Sequence, residues 1–248
     1  MIWLFLLIPL SFLAFFGFAV FAVVKILNKG KEWNKKLENG SFKQELRMLI
    51  NQRIQKNSIS RTDITTSRII KGTYINKKIL SDSKFSYFND LYSDNDLKKP
   101  AAITEMRYTL SFPGLANLNG ITITKTVNSE IIMEIKKGFM HIYLNEKYLG
   151  VIDLFKKEIR KNEQILGTLD FPDLFMGGVT SVNWHIIFNG IKSADIIAAH
   201  NFKDSIVANI PDTKVKFAEI FNVLTKEQMA FVISMILFLK IHRSLSPN

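Results

Sequence analysis

The sequence contains no cysteine in its 248 residues. This absence excludes disulfide bonds, catalytic thiolates and zinc–thiolate sites, and it leaves the redox compartment of the protein undetermined. Motifs of catalysis are missing as well, because the chain has no HExxH, no GxSxG and no Walker A sequence. Its four histidines stand apart from one another, which is typical of structural histidines. We therefore predict no catalytic residue, no bound metal and no cofactor.

Acidic side chains are in short supply. The chain has 33 Lys and Arg against 22 Asp and Glu, so its net charge is +11. Such a balance favours anionic partners, either lipid headgroups or nucleic acid. No RRM, KH or helix-turn-helix pattern is present, and the lysines concentrate beside an apolar segment. We therefore predict a membrane partner and no nucleic acid, and a protein partner stays open.

One fragment resembles a calcium-binding loop but lacks essential parts. Asp94, Asp96 and Glu105 stand at the first, third and twelfth positions of an EF-hand loop. Lys98 and Lys99 occupy the fifth and sixth positions, where a ligand and a glycine are required. Because two lysines would repel the cation, we interpret the fragment as a solvated acidic turn.

The N-terminal segment, residues 1–24, has no charged side chain. As a helix it would rise ~36 Å, which is enough to cross a bilayer with some tilt. A cleaved signal peptide is the alternative, but such peptides start with a basic region that this chain does not have. We predict an uncleaved single-pass anchor over residues 1–27. Because lysines follow the segment and none precedes it, the N-terminus is expected outside and the remaining chain in the cytoplasm.

A basic juxtamembrane region over residues 28–60 follows, and it contains a predicted helix. Ser41 and Gln44 form a capping box at its start. Apolar residues then recur at helical spacing, at Phe42, Leu46, Leu49, Ile50 and Ile54. Two interpretations remain open: the helix lies on the bilayer surface, or its apolar stripe packs on the following domain.

Residues 102–210 show a period of two. The sequence predicts about nine short strands, after one or two more within 57–99, and the Asn189-Gly190 pair indicates a hairpin. Apolar spacing then predicts a short amphipathic helix over residues 217–224. The predicted strands are residues 103–112, 121–127, 131–135, 139–144, 148–154, 165–171, 182–188, 191–199 and 205–210.

The last apolar run, MAFVISMILFL at residues 229–239, is apolar on every face of a helix. Thr225 and Gln228 form a capping box before it. Its rise of ~16 Å falls short of a bilayer core, so we predict that protein encloses it on all sides. A closed antiparallel β-barrel could hold it along its axis. The predicted fold is therefore α+β, a barrel over residues 61–248 around a C-terminal helix.

Three stretches within roughly residues 100–245 carry a family resemblance: FMHIYLNEKYLGVIDL at residues 139–154, HIIFNGIKSADIIAAH at residues 185–200, and KEQMAFVISMILFLKIH at residues 226–242. They resemble the tubby C-terminal-like superfamily, which includes the phospholipid scramblases and the LURP-one-related proteins. The resemblance implies a barrel of roughly a dozen strands filled by the last helix. This chain departs from the family because its predicted anchor is N-terminal, and because it lacks a proper calcium-binding segment.

Together these features predict a membrane-anchored, non-enzymatic module that binds lipid or protein at the cytoplasmic face. The alternatives are scramblase-like phospholipid translocation, in which the last helix leaves the barrel, and an enzyme with an unrecognised site. The candidate contacts to lipid headgroups are the lysines that follow the anchor and a basic loop near residue 158, namely Lys25, Lys29, Lys31, Lys35, Lys36, Lys156, Lys157, Arg160 and Lys161.

Overall fold

The structure is a computed structural model that describes residues 21, 32, 35–66, 70–76, 86–110, 118–171, 183–197 and 214–245. The predicted anchor over residues 1–27 lies outside the described residues except for Phe21, and the predicted strand over residues 205–210 lies outside them entirely. Residues 1–42 and residues 43–248 form separate compact units. None of the helices within the described ranges combines the length and hydrophobicity needed to cross a bilayer.

Besides helical residues at 21, 32 and 35–38, the described chain has two helices and twelve strands with defined bounds. They are α1 (Ser41–Lys56), β1 (Gly72–Asn76), β2 (Ser86–Ser93), β3 (Ala102–Leu110), β4 (Leu118–Lys125), β5 (Glu130–Lys136), β6 (Phe139–Leu144), β7 (Lys147–Asp153), β8 (Glu158–Lys161), β9 (Gln164–Asp170), β10 (Asn183–Phe188), β11 (Ile191–Ile197), β12 (Lys214–Ile220) and α2 (Lys226–Leu245).

The strands form one closed barrel. Each pairs antiparallel with its neighbours in sequence, and β12 closes the barrel by pairing with β1. The predicted hairpin at Asn189-Gly190 is confirmed, and it joins β10 to β11 with both residues at positive φ (53° and 74°). This backbone matches the right-handed twist of the flanking strands, so the Asn-Gly pair fixes their register.

The apolar core of α2 lies inside the barrel, as the sequence predicts. Every residue from Met229 to Leu239 is at most 2 % exposed, and β2, β3 and the strands from β5 to β12 contribute to the same apolar core. The predicted capping box is formed: Gln228 N–H donates to Thr225 Oγ1 over 3.2 Å, and Thr225 N–H donates to Gln228 Oε1 over 2.9 Å. The barrel wall therefore takes the place that lipid would take around a membrane helix.

The predicted helix over residues 217–224 is wrong, because β12 occupies Lys214–Ile220. A β-bulge explains the error. Thr73 pairs with Ala218 and Tyr74 with Lys216, so Phe217 is an extra residue in β12. The bulge shifts the period of two and gives the buried side chains a helix-like spacing.

The predicted basic loop near residue 158 is partly a strand, β8, which the sequence does not reveal. This strand has four residues, and Ile159 is its single apolar side chain. The short strands expected between residues 57 and 99 are present as β1 and β2.

Helix α1 packs on the outside of the barrel. Of the two interpretations of its apolar stripe, the structure therefore supports packing on the following domain. Leu46 and Ile50 are fully buried. Ion pairs from α1 to β3 and β5 place the helix over outward-facing isoleucines that are also buried. These are Ile103, Ile121, Ile123 and Ile132, and they stand apart from the core around α2.

Candidate functional site

Two turns at one end of the barrel present exposed phenylalanines among lysines. The β5–β6 turn consists of Lys137 and Gly138, and the β7–β8 turn runs over residues 154–157. The side chain of Phe155 is 57 % exposed and that of Phe139 is 36 % exposed. We call this patch the Lys–Phe surface; its members are Lys136, Lys137, Phe139, Phe155 and Lys156.

A glycine brings the two turns into contact. Gly138 has a φ of 83°, and a Cβ placed on it would lie 2.4 Å from Phe155 Cε2. Only glycine accepts both the left-handed backbone and the close approach of the ring. The Phe155 ring therefore lies directly over the β5–β6 turn, beside Lys137.

A buried carboxylate fixes the β7–β8 turn. Asp153 is 2 % exposed, and its Oδ1 accepts the backbone N–H groups of Phe155 (3.1 Å) and Lys156 (3.0 Å). Its Oδ2 accepts a hydrogen bond from Arg160 Nη2 over 2.8 Å. Because both carboxylate oxygens are used, Asp153 fixes the backbone of the turn that carries the exposed side chains of Phe155 and Lys156.

The structure divides the predicted headgroup contacts. Lys156 and Lys161 are exposed, whereas the side chains of Lys157 and Arg160 contact other residues of the protein. Lys157 Nζ donates to the carbonyl oxygen of Phe171 over 2.7 Å and lies 4.9 Å from that residue's ring centroid. Arg160 pairs with Asp153 and with Glu158. Lys157 and Arg160 thus tie β8 to its neighbours.

The lysines predicted near the anchor are mostly outside the described residues. Lys25, Lys29 and Lys31 fall there. Lys35 is exposed, and Lys36 Nζ lies 4.0 Å from Glu32 Oε1 and 5.9 Å from the Phe42 ring centroid. Their part in binding lipid stays a prediction.

Arginines on both sides of the contact join α1 to the barrel's outer face. Arg47 donates to Glu130 and Glu146, and Arg107 Nη2 lies 3.1 Å from Glu45 Oε1. The hydrogen bond from Arg47 lowers the pKa of the Glu146 carboxyl, which is otherwise exposed. Lysines, in contrast, supply the cations of the Lys–Phe surface, and Lys136 has only a 3.4 Å contact to Glu134.

His185 belongs to an ordered row of charges on the outer face. His185 Nδ1 lies 2.5 Å from Asp195 Oδ1, and Lys192 Nζ lies 2.9 Å from the other oxygen of Asp195. In register, His185 stands between Asp170 and Asp195, and Asp195 stands beside Glu219. The described residues contain no group of three or more His, Asp or Glu side chains placed to hold a metal ion.

The acidic turn after β2 is closed by hydrogen bonds between Asp96 and the backbone of the same turn. Asp96 Oδ1 accepts the backbone N–H groups of Lys98 and Lys99 over 2.9 and 3.1 Å, and these bonds lower the pKa of the Asp96 carboxyl. Glu105, the twelfth position of the apparent calcium loop, lies in β3 and pairs with Arg53. The spacing of the three acidic residues therefore comes from a turn and a strand, not from a calcium loop.

Sequence reasoning missed Lys136, Lys137, Phe139 and Phe155. The signal available was the run from Lys136 to Phe139, which has two lysines and a phenylalanine around a turn glycine. Its combination with Phe155 depends on the pairing of β6 with β7, which sequence spacing does not give.

Comparison with known proteins gives no relative: no protein-family model, no curated protein and no solved structure matches the chain. The structure itself places the chain in a fold class: an antiparallel twelve-stranded barrel closed around its own C-terminal helix.

Proposed function

We propose that the chain is a membrane-anchored, non-enzymatic module whose barrel binds anionic lipid at the cytoplasmic face through the Lys–Phe surface. The observation that carries this proposal is the exposure of Phe139 and Phe155 within a group of lysines. Aromatic rings favour the headgroup boundary of a bilayer, and each nearby lysine contributes ~1 kcal/mol of attraction to an anionic leaflet.

The geometry of the patch suits a flat surface. Both turns lie at the same end of the barrel, and Asp153 fixes the more exposed one. A turn with a fixed backbone loses less conformational entropy on binding than a flexible loop. The uncharged segment over residues 1–24 supports the same proposal, since an anchor would raise the local concentration of the barrel at the bilayer.

The resemblance to tubby-like and scramblase-like proteins supports lipid as the partner. It rests on the three sequence stretches and on the arrangement of a strand barrel around the last helix. A protein partner is the other outcome of the experiment below.

A single-cysteine reporter tests the proposal, because the natural chain has no cysteine. Phe155→Cys in the full chain is labelled with an environment-sensitive fluorophore and reconstituted into vesicles with or without phosphatidylserine. Binding predicts a blue shift that appears only with the anionic lipid and that brominated lipids quench. Phe221→Cys is the matched control, since Phe221 is 48 % exposed and follows β12 at the other end of the barrel.

Charge reversal provides the second arm. Replacing Lys136, Lys137 and Lys156 by Glu removes about 3 kcal/mol of attraction and adds repulsion, so the blue shift is expected to disappear. A reporter at residue 155 that stays in water with every lipid composition contradicts lipid binding by this surface. If the same reporter responds to the proteins of a cell extract and to none of the lipids, the partner is a protein.

A further inference from the structure

Three polar atoms inside the barrel have no hydrogen-bond partner among the residues that the structure describes. They are Thr73 Oγ1, Asn89 Oδ1 and Ser93 Oγ. Thr73 and Ser93 are fully buried, and Asn89 is 3 % exposed. Thr73 and Ser93 are direct cross-strand partners of β1 and β2. Asn89 and Ser93 share a face of β2 with Leu91, a member of the core around α2, so all three side chains point inward.

Further polar side chains line the inner wall beside these atoms. Asn89 pairs with Thr104, and Thr104 pairs with Thr124 across the next strand. The hydroxyl oxygens of Thr104 and Thr124 lie 2.9 Å apart and hydrogen-bond to each other, while the Asn89 amide makes one weak contact of 3.9 Å to Met106 Sδ. Polar side chains are therefore interspersed along β2 to β4 with the apolar core residues Leu91, Met106 and Tyr108.

Another part of the inner wall is lined by large apolar side chains. Along β7 to β10 the buried inward side chains are Leu149, Ile152, Ile159, Leu169, Trp184, Ile186 and Phe188. Helix α2 makes its most extensive wall contacts with β5, β6 and β11. Thr73, Asn89 and Ser93 thus face a helix that packs most closely on other strands.

Helix α2 does not satisfy the three atoms. Ser234 is the single hydroxyl residue between residues 229 and 239, and its Oγ donates to the Ala230 carbonyl of its own helix over 2.8 Å. The backbone groups of a helix interior bond to each other. Native proteins give partners to roughly 90 % or more of such buried polar groups, and three exceptions on one wall require an explanation.

We propose that the inner face of β1 and β2 binds small, uncharged, hydrogen-bonding guests, one bridging Thr73 and Ser93 and another at Asn89. The guests are uncharged because the acidic side chains beside Asn89 on β2 and on β3, Asp90 and Glu105, face outward and pair with Arg53. Water is the simplest molecule with this chemistry, and a small alcohol or amide has the same chemistry. This inference is independent of the proposed lipid binding.

The spacing sets the number of contacts. Cross-strand partners have Cβ atoms about 4.5–5.5 Å apart, so one oxygen atom can bridge Thr73 and Ser93. Asn89 lies four residues further along β2, at ~13 Å, and needs a second molecule or the far end of a longer one.

Replacing the two hydroxyl residues by apolar residues of similar size tests the site, because the direction of the change in melting temperature distinguishes the outcomes. The full chain, purified in mild detergent, carries Thr73→Val together with Ser93→Ala. If the hydroxyls hold a guest, the melting temperature falls by about 2–4 °C for each hydrogen bond lost. An unchanged or higher melting temperature overturns the proposal, because it shows that the hydroxyls were buried without compensation.

Two control variants calibrate that shift. Ser234→Ala removes a buried hydroxyl that bonds only within its helix, and Thr168→Val makes the same Thr-to-Val change on an exposed part of β9. Both are expected to leave the melting temperature nearly unchanged, so a fall in the double variant beyond theirs belongs to the guest.

A crystal structure of the dialysed wild-type protein at a resolution that shows water identifies the guest. Separate peaks within 3.2 Å of Thr73 Oγ1 and Ser93 Oγ establish water. Continuous density on the same atoms establishes a small organic ligand, which native mass spectrometry then weighs. If the hydroxyls instead bond to protein groups and no density lies beside them, the proposal is wrong.

Discussion

Arg53 Nη1 donates to Glu105 Oε1 over 2.8 Å, and through this pair α1 is joined to the outer wall of the barrel. The same guanidinium donates to Asp90 on β2 and to the carbonyl oxygen of Thr104. Burial raises the pKa of both carboxyl groups, and the positive charge of Arg53 opposes that shift. One side chain of α1 therefore balances two acidic groups that water does not reach.

Arg53→Ala is expected to cost about 3–5 kcal/mol of unfolding free energy, because it leaves two buried carboxyl groups without their partner. Urea denaturation followed by circular dichroism measures the cost. Arg61→Ala is the control, since Arg61 is exposed, and we expect a change within about 0.5 kcal/mol. Equal effects of the two substitutions would contradict the role assigned to Arg53.

Gly138→Ala is expected to destabilise the protein more than Gly190→Ala. Both glycines have a positive φ, 83° and 74°, so both substitutions carry a similar backbone strain of roughly 1 kcal/mol. Only at residue 138 does the added Cβ also meet a side chain, the ring of Phe155, whereas nothing lies within 4 Å at residue 190. Thermal unfolding of the two variants side by side isolates the contact between the turns.

If Gly138→Ala proves no worse than Gly190→Ala, the Phe155 ring is free to leave the β5–β6 turn. In that case the Lys–Phe surface is not preformed.

The pKa of His141 is expected below 6.5, because burial disfavours the imidazolium and Lys136 repels it. A lowered folded-state pKa means that the unfolded chain binds the proton first as the pH falls. The contribution of His141 to stability is thus complete above its unfolded pKa and is lost as the pH drops through its folded pKa. NMR titration of the imidazole measures the shift.

Lys136→Gln should raise the pKa of His141 part of the way back, since burial, the larger cause, remains. Anionic lipid at the Lys–Phe surface should act in the same direction by neutralising Lys136. If neither change alters the pKa of His141, Lys136 does not act on the imidazole.

Phe231→Ala and Phe155→Ala should separate stability from binding. Phe231 lies on α2 inside the barrel at 2 % exposure, and its loss is expected to cost about 3–5 kcal/mol. Phe155 is 57 % exposed, so its loss should weaken lipid binding with a much smaller effect on stability. Denaturant unfolding and vesicle co-sedimentation of both variants provide the comparison.

The fold was accessible from sequence where one physical requirement dominated. A helix that is apolar on every face must be enclosed, and residues 229–239 together with the strand periodicity were enough to predict a barrel around them. The bulge at Phe217 broke the period of two, so β12 could not be recognised from spacing. Strand β8 escaped because four mostly charged residues carry no periodicity.

The surface that carries the proposed function was less accessible. Charge alone indicates Lys156 as a lipid contact, but it also indicates Lys157 and Arg160. The side chains of Lys157 and Arg160 form hydrogen bonds to other residues of the protein. Whether a lysine is exposed or bonded depends on neighbours brought by strand pairing. The contact between Gly138 and Phe155 is of the same kind, since it joins two hairpins through tertiary structure.

The position of α2 after all the strands has a consequence for synthesis. The twelve strands leave the ribosome before the residues that fill their interior. Until α2 has emerged, the nascent wall has nothing to close around, and its inward-facing isoleucines and leucines are open to chaperones and to water. The barrel can therefore close only after α2 has been made.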